Sequence, residues 1–131
     1  SPIPFLTEEW LDLVRSEMAT VESEMSPGFT AMVEFVVPKG PGGEVRWVGA
    51  FENGSLVSAT MGAGPDADVS LTTVYPDAVA VLRGELDLNT AFMQGRMKVA
   101  GPTGPLLALI AQAQAPATRA ALDGVLAATS F

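Results

Sequence analysis

The sequence predicts one α+β domain: a five-stranded, mainly antiparallel sheet packed with helices. Three observations carry that prediction. Apolar residues recur at intervals of three or four near the start of the chain and at every second position from Phe29 onward. Asn53-Gly54 marks a tight hairpin, because both residue types tolerate positive φ. Two further helical patterns, the second opened by Pro116, close the chain. At 131 residues the chain fits a single domain spanning 1–131, and no repeat, low-complexity tract or linker divides it.

Thr7 is placed to cap a first helix, with Glu8 and Glu9 in its first turn, where carboxylates favour the positive helix end. Trp10, Val14, Met18, Val21 and Met25 form one apolar stripe, so the helix is expected over about 7 to 25, ended by Ser26, Pro27 and Gly28. Phe29, Ala31, Val33, Phe35 and Val37 then share one face of a strand expected to stop at Pro38, before a turn cluster from Lys39 to Gly43. Strands over Glu44–Glu52 and Ser55–Met61 flank the Asn53-Gly54 turn, a register that pairs Phe51 with Leu56 and Val48 with Ala59. Val45, Trp47 and Phe51 line one face of this hairpin and Val48, Ala50 and Val57 the other, which predicts a cover for the second face as well.

Gly62, Gly64, Pro65 and Asp66 make a loop, and a fourth strand runs from Asp68 to Thr73. Pro76 suits the first turn of a helix that carries Val79 and Leu82 inward and stops at Gly84. Asn89 to Met93 allow only a helical turn, and Met97 and Val99 alternate with Arg96 and Lys98 in a short fifth strand ending at Gly101. Thr103 to Ala113 and Pro116 to Ala128 read as the last two helices.

Apolar residues make up 48% of the chain and charged residues 17%, against roughly 25% charged in ordinary domains. The excess must line a cavity, form a subunit interface, or fill an unusually well-buried core. A net charge of −8 repels nucleic acid and anionic membrane surfaces, so nucleic acid is excluded as a partner and any membrane contact is not electrostatic. There is no cysteine, which removes disulfides and thiolate metal sites and fits a cytoplasmic protein. No apolar run approaches the ~20 residues of a membrane span, and no signal-like segment or peroxisomal ending is apparent.

With neither histidine nor cysteine, the common general base, the thiol nucleophile and most transition-metal ligands are missing. No catalytic residue, metal site or cofactor is expected. Asp66 with Asp68, and Glu85 with Asp87, lack the alternating ligands and final glutamate of a calcium loop and read as solvated charges. The glycines at 40, 42, 43, 62 and 64 lack the helix and Lys-Ser/Thr of a phosphate loop and read as turns.

One order of motifs is distinctive. Ala67-Asp68-Val69-Ser70-Leu71-Thr72 leads to the Pro76 helix, then Arg83-Gly84-Glu85-Leu86, then the run from Asn89 through Phe92, Met93, Gln94, Gly95 and Lys98 to Gly101. This resembles the sterol carrier protein type 2 domain family, in which Ala-Phe-x-Gln-Gly-Lys-Leu-Lys-Ile-x-Gly follows a strand, a helix and Gly-Glu/Lys-Leu. Residues 67 to 101 carry the likeness, through Phe92, Gln94, Gly95, Lys98 and Gly101 above all.

The resemblance implies a five-stranded sheet and helices enclosing an apolar tunnel for fatty acids, acyl-CoA, phospholipids or sterols, without a cofactor. Carried over by position, Phe92, Met93 and Gln94 border the tunnel, with Gln94 as the polar contact for a ligand head group or bound water; the alternative is a tie from Gln94 to nearby backbone. Val79 and Leu82 of the middle helix, and Leu106, Leu109 and Ile110 of the next, are the expected apolar walls. The segment Gly104 to Ile110 is more apolar here than is usual in the family, which suits a lid or wall. A ligand tunnel is expected to offer about 300 Å³ or more.

The reading is therefore a carrier of a lipid or other hydrophobic small molecule. Two alternatives stay open: a cofactor-free isomerase or cyclase that uses Asp, Glu or Tyr75 in the same pocket, and a noncatalytic module that dimerises or meets a protein partner through an apolar face. A carboxylate inside the pocket distinguishes the enzyme, and an uninterrupted apolar lining the carrier.

Overall fold

The computed structural model describes residues 2–19, 21 and 29–131. A five-stranded sheet runs in the order β4-β3-β2-β5-β6, built from β2 (Ala31–Gly40), β3 (Gly43–Glu52), β4 (Ser55–Met61), β5 (Val69–Thr73) and β6 (Met97–Ala100). β2 and β5 are parallel, and the other neighbouring pairs are antiparallel. The inner face carries Val33, Phe35, Trp47, Phe51, Leu56, Val69, Leu71 and Met97, and the helices cover it.

Strand β2 continues past Pro38 instead of stopping there. Val37 pairs with Val45 and Gly40 with Gly43, so Pro38 and Lys39 together oppose Glu44 in a bulge. A bulge tolerates the missing proline N–H, and Lys39 takes the positive φ of 57° that turns the strand. The next hairpin forms at Asn53 and Gly54, at φ 49° and 86°. Phe51 pairs with Leu56 as the sequence predicts, but the register then shifts, so Val48 meets Thr60 and Ala59 meets Gly49. The extra residue is Val57, which is exposed.

The first helix, α1 (Glu8–Met18), starts where the sequence places it, with Thr7 Oγ1 accepting from Trp10 N at 3.2 Å. It ends at Met18, earlier than the apolar stripe suggests. Val21 is buried beyond the helix, its N–H donating to the Met18 carbonyl, so an apolar residue in phase with a helix is here held by tertiary burial. The expected ending at Met25, Ser26, Pro27 and Gly28 lies outside the described residues.

Helix α2 (Tyr75–Leu82) closes with Gly84 at φ 76°, and Asp87 caps α3 (Leu88–Met93) by accepting from Thr90 N at 2.7 Å. Helices α4 (Thr103–Ala113) and α5 (Pro116–Ala127) follow as expected. Two short strands, β1 (Ile3–Pro4) and β7 (Thr129–Ser130), pair in parallel and join the two ends of the chain. Two residues are too few to leave a period in the sequence.

The outer face of the sheet is covered only in part. Glu34, 8% exposed, accepts from Gly64 N at 2.8 Å and Ser70 Oγ at 2.7 Å and faces Arg46 at 3.7 Å, which draws the 62–68 loop onto that face. Met32 and Val57 stay exposed, so among the described residues the cover expected from the two-sided apolar pattern is present but partial. Both lie in the antiparallel β2-β3-β4 part of the sheet, where one face can remain partly in water.

Candidate functional site

The sheet and helices leave a cavity of about 170 Å³ between them. Phe35, Trp47, Phe51, Leu71 and Met97 form its floor, Trp10, Val14 and Met18 of α1 one side, and Phe5 and Leu6 one end. Ala78, Val81 and Leu82 of α2 and Leu109, Gln112 and Ala113 of α4 close it, with Thr118 and Leu122 of α5. The floor is held by stacking, since Phe35 and Trp47 lie nearly parallel across β2 and β3 at 4.2 Å. Gly49 makes the floor close-packed: a Cβ there would stand 3.1 Å from Leu56 and 3.2 Å from Trp47.

Among the described residues, Thr73, Gln112 and Thr118 are the polar side chains of this lining, and no charged residue borders it. Gln112 and Thr118 are each 3% exposed, and the amide Nε2 donates to the hydroxyl at 3.1 Å. A second hollow of about 280 Å³ lies alongside, bounded by Gly84, Leu86, Asp87, Gln114 and Arg119. Val81, Leu88, Ala113 and Leu122 belong to both linings, so these four side chains stand between the apolar cavity and the more polar hollow. The volume of this partly open cavity is below the ~300 Å³ expected of a ligand tunnel, and the second hollow adjoins it as the other of two lobes.

Among the residues expected at the site, Leu82 and Leu109 line the cavity. Leu106 and Ile110 are buried in the core behind it, and Val79 is half-buried outside the lining. The structure does not bring Phe92, Met93 and Gln94 to the cavity. Helix α3 is six residues long and buries only Ala91, so the side chains that follow turn outward. Phe92 is 37% and Met93 74% exposed, and the exposed Gln94 accepts from Arg96 Nη1 at 3.2 Å while Arg96 pairs with Asp77 at 2.7 Å. The expected buried amide at 94 is thus a solvated one.

The buried amide is at Gln112, which the motif reading passed over. A signal for it exists in the sequence: it follows Leu109 by three positions and so falls on the apolar face of α4. The carboxylates of the loops are engaged locally. Asp68 accepts from Met32 N at 2.7 Å and Asp87 caps α3. Among the described residues, no group of three or more acidic side chains is arranged to hold a metal ion.

This fold and this cavity define a class: a small α+β domain whose sheet and helices close over an apolar space. The profile of the SCP-2 sterol transfer family matches residues 12–126, and the chain belongs to that family. The likeness read from residues 67 to 101 therefore extends over most of the chain. Sterol carrier protein 2 of Gallus gallus is 34% identical over 76 residues, 57% of this chain and 14% of that protein. Its counterpart in Rattus norvegicus is 37% identical over 71 residues, 53% and 13% respectively. The match thus spans only a small part of these relatives' length. A crystal structure of sterol carrier protein 2 superposes with a TM-score of 0.71 at 20% identity, covering 92% of this chain and 96% of that one. The solution structure of sterol carrier protein domain 2 of Helicoverpa armigera gives 0.64 at 27% identity, over 84% and 86%.

Proposed function

We propose that this domain binds a lipid or similar hydrophobic small molecule in the cavity beneath the sheet and carries it in a form shielded from water. The observation that supports this most is the lining, which among the described residues is apolar except for Thr73, Gln112 and Thr118. Burying apolar surface is worth about 25 cal/mol per Å², so such a space favours a hydrocarbon over water. Membership of a sterol transfer family agrees with this reading. The enzyme alternative needs a proton carrier, and Tyr75 lies outside the lining, packed against Phe5 at 5.8 Å between ring centres.

In this proposal Leu82 and Leu109 touch ligand, and Val79, Leu106 and Ile110 support them from behind. The polar contact that the family pattern gives to Gln94, beside Phe92 and Met93, passes to Gln112. Helix displacement at the Val81, Leu88, Ala113 and Leu122 partition joins the two lobes into a tunnel for longer ligands. Transfer to a protein partner suits the acidic surface better than exchange with an anionic membrane. Among the described residues no helix is long and apolar enough to cross a membrane; a cytoplasmic location is part of the proposal and rests on the sequence.

Native mass spectrometry of freshly purified protein, with titration of a fluorescent fatty acid and a sterol analogue, tests the reading. Co-purified lipid, or binding at micromolar concentration, supports it. A bare protein that takes up neither probe overturns it.

A further inference from the structure

We infer that Gln112 and Thr118 form the recognition point for an uncharged polar group, a hydroxyl or carbonyl oxygen, on an otherwise apolar ligand. The inference rests on the carrier reading and adds the polarity and charge of what is carried. Gln112 is in the last turn of α4 and Thr118 in the first turn of α5, so one short connection holds both against the cavity. Each is 3% exposed, and the bond from Nε2 to the hydroxyl is the hydrogen bond the two side chains share.

That bond uses one of two amide N–H donors and one lone pair of the hydroxyl. The amide carbonyl, the second N–H and the hydroxyl proton keep their capacity. Among the described residues no other side-chain hydrogen bond engages them. A buried amide costs free energy unless it is matched, and leucine would pack the same helix face more cheaply. The pair therefore fits a ligand oxygen that accepts from one of its donors and, as a hydroxyl, donates to the amide carbonyl.

The surroundings decide against an anion. No Lys or Arg borders the cavity, so a carboxylate would be buried without a counter-charge in a chain of net charge −8. Arg119, in the adjoining hollow, is committed: its Nη2 donates to the Leu82 carbonyl at 2.8 Å and pairs with Asp123 at 2.9 Å, and Asp87 borders the same hollow.

The test is titration of the intact protein at about pH 8, where a fatty acid is ionised, with dodecanol, dodecane and dodecanoate. Wild-type protein is expected to prefer dodecanol to dodecanoate. Gln112→Leu and Thr118→Val are each expected to weaken dodecanol about five-fold or more, as loss of a buried hydrogen bond does, and to leave dodecane unchanged or tighter. Dodecanoate binding more tightly than dodecanol overturns the inference. Equal weakening of dodecanol and dodecane, with a lower melting temperature, makes the pair a structural tie and overturns it as well. If Gln112→Leu does not fold, the near-isosteric Thr118→Val and the wild-type ranking of dodecanol against dodecanoate decide. Binding of dodecane and dodecanol with no response to either variant sinks the recognition point and leaves the carrier standing. Failure of all three ligands on wild-type protein sinks the carrier reading itself.

Discussion

The indole N–H of Trp10 donates to the hydroxyl of Thr129 at 3.0 Å, linking the first helix to the last strand across 119 positions. The same hydroxyl donates to the Val125 carbonyl at 2.6 Å, and Phe5 meets the Trp10 ring edge-on at 4.8 Å. Phe5, Leu6 and Trp10 line the cavity, so the joined ends of the chain also close one end of the site.

Replacing Thr129 by Val keeps the shape and removes the acceptor. Trp10 is 5% exposed, so its N–H is left without a partner where water has little access, a loss of about 1 to 3 kcal/mol. The urea midpoint is expected to fall accordingly, with a change in tryptophan emission. An unchanged midpoint would show that the terminal clamp contributes nothing to stability.

Glu34 predicts how stability depends on pH. Its carboxyl is held below the ordinary value of 4.5 by the Gly64 N–H first, then by the Ser70 hydroxyl and the Arg46 charge, while burial opposes them. A depressed folded-state pKa means stability that is present above 4.5 and is lost as pH falls through the lower folded value. Glu34→Gln must aim its NH₂ group at one of two hydrogen-bond donors and loses the charge that faces Arg46. The variant is expected to be less stable than wild type near neutrality and to approach it in acid. Parallel pH–stability curves for the two proteins would remove Glu34 from the account.

The elements were legible because their signals are local. A period of two marks β2 to β4, Asn53-Gly54 fixes the hairpin tip, and Pro116 opens α5. What lay hidden depends on the rest of the molecule: the bulge that takes up Val57, the early end of α1 at Met18, and the two-residue pairing of β1 with β7. The site was half legible for a related reason. Leu82 and Leu109 follow from apolar spacing, but Phe35, Trp47 and Phe51 carry the same pattern whether they fill a core or border a cavity. The resemblance located Gln94 by motif, and only the outward turn after Ala91 shows that its side chain meets water.

Gly49 should test whether the floor of the cavity sets its capacity. An alanine methyl would press on Leu56 at 3.1 Å, Trp47 at 3.2 Å and Phe51 at 3.4 Å, all of which line the cavity. These side chains have space to yield into, so Gly49→Ala is expected near the lower end of overpacking costs, about 1 kcal/mol. The displaced rings occupy room that ligand would use, and affinity for a long-chain ligand should fall more than stability does. Unchanged affinity beside a lower melting temperature would mean that the ligand does not reach the floor.

Leu122 stands between the two lobes, half-buried on α5 and shared by both linings. If the Val81, Leu88, Ala113 and Leu122 partition is the route by which a chain longer than the cavity extends, shortening Leu122 should open it. Leu122→Ala removes apolar contacts at a cost of about 2 kcal/mol, the low end for leucine to alanine because the side chain is only partly buried. The informative readout is kinetic: in stopped-flow displacement, dissociation of a long-chain fluorescent fatty alcohol should quicken, while that of a short one confined to the cavity should change little. Equal acceleration for both chain lengths would point to general loosening of α5. No acceleration for either would place the entry route at the opposite end, where Phe5 and Leu6 meet the cavity.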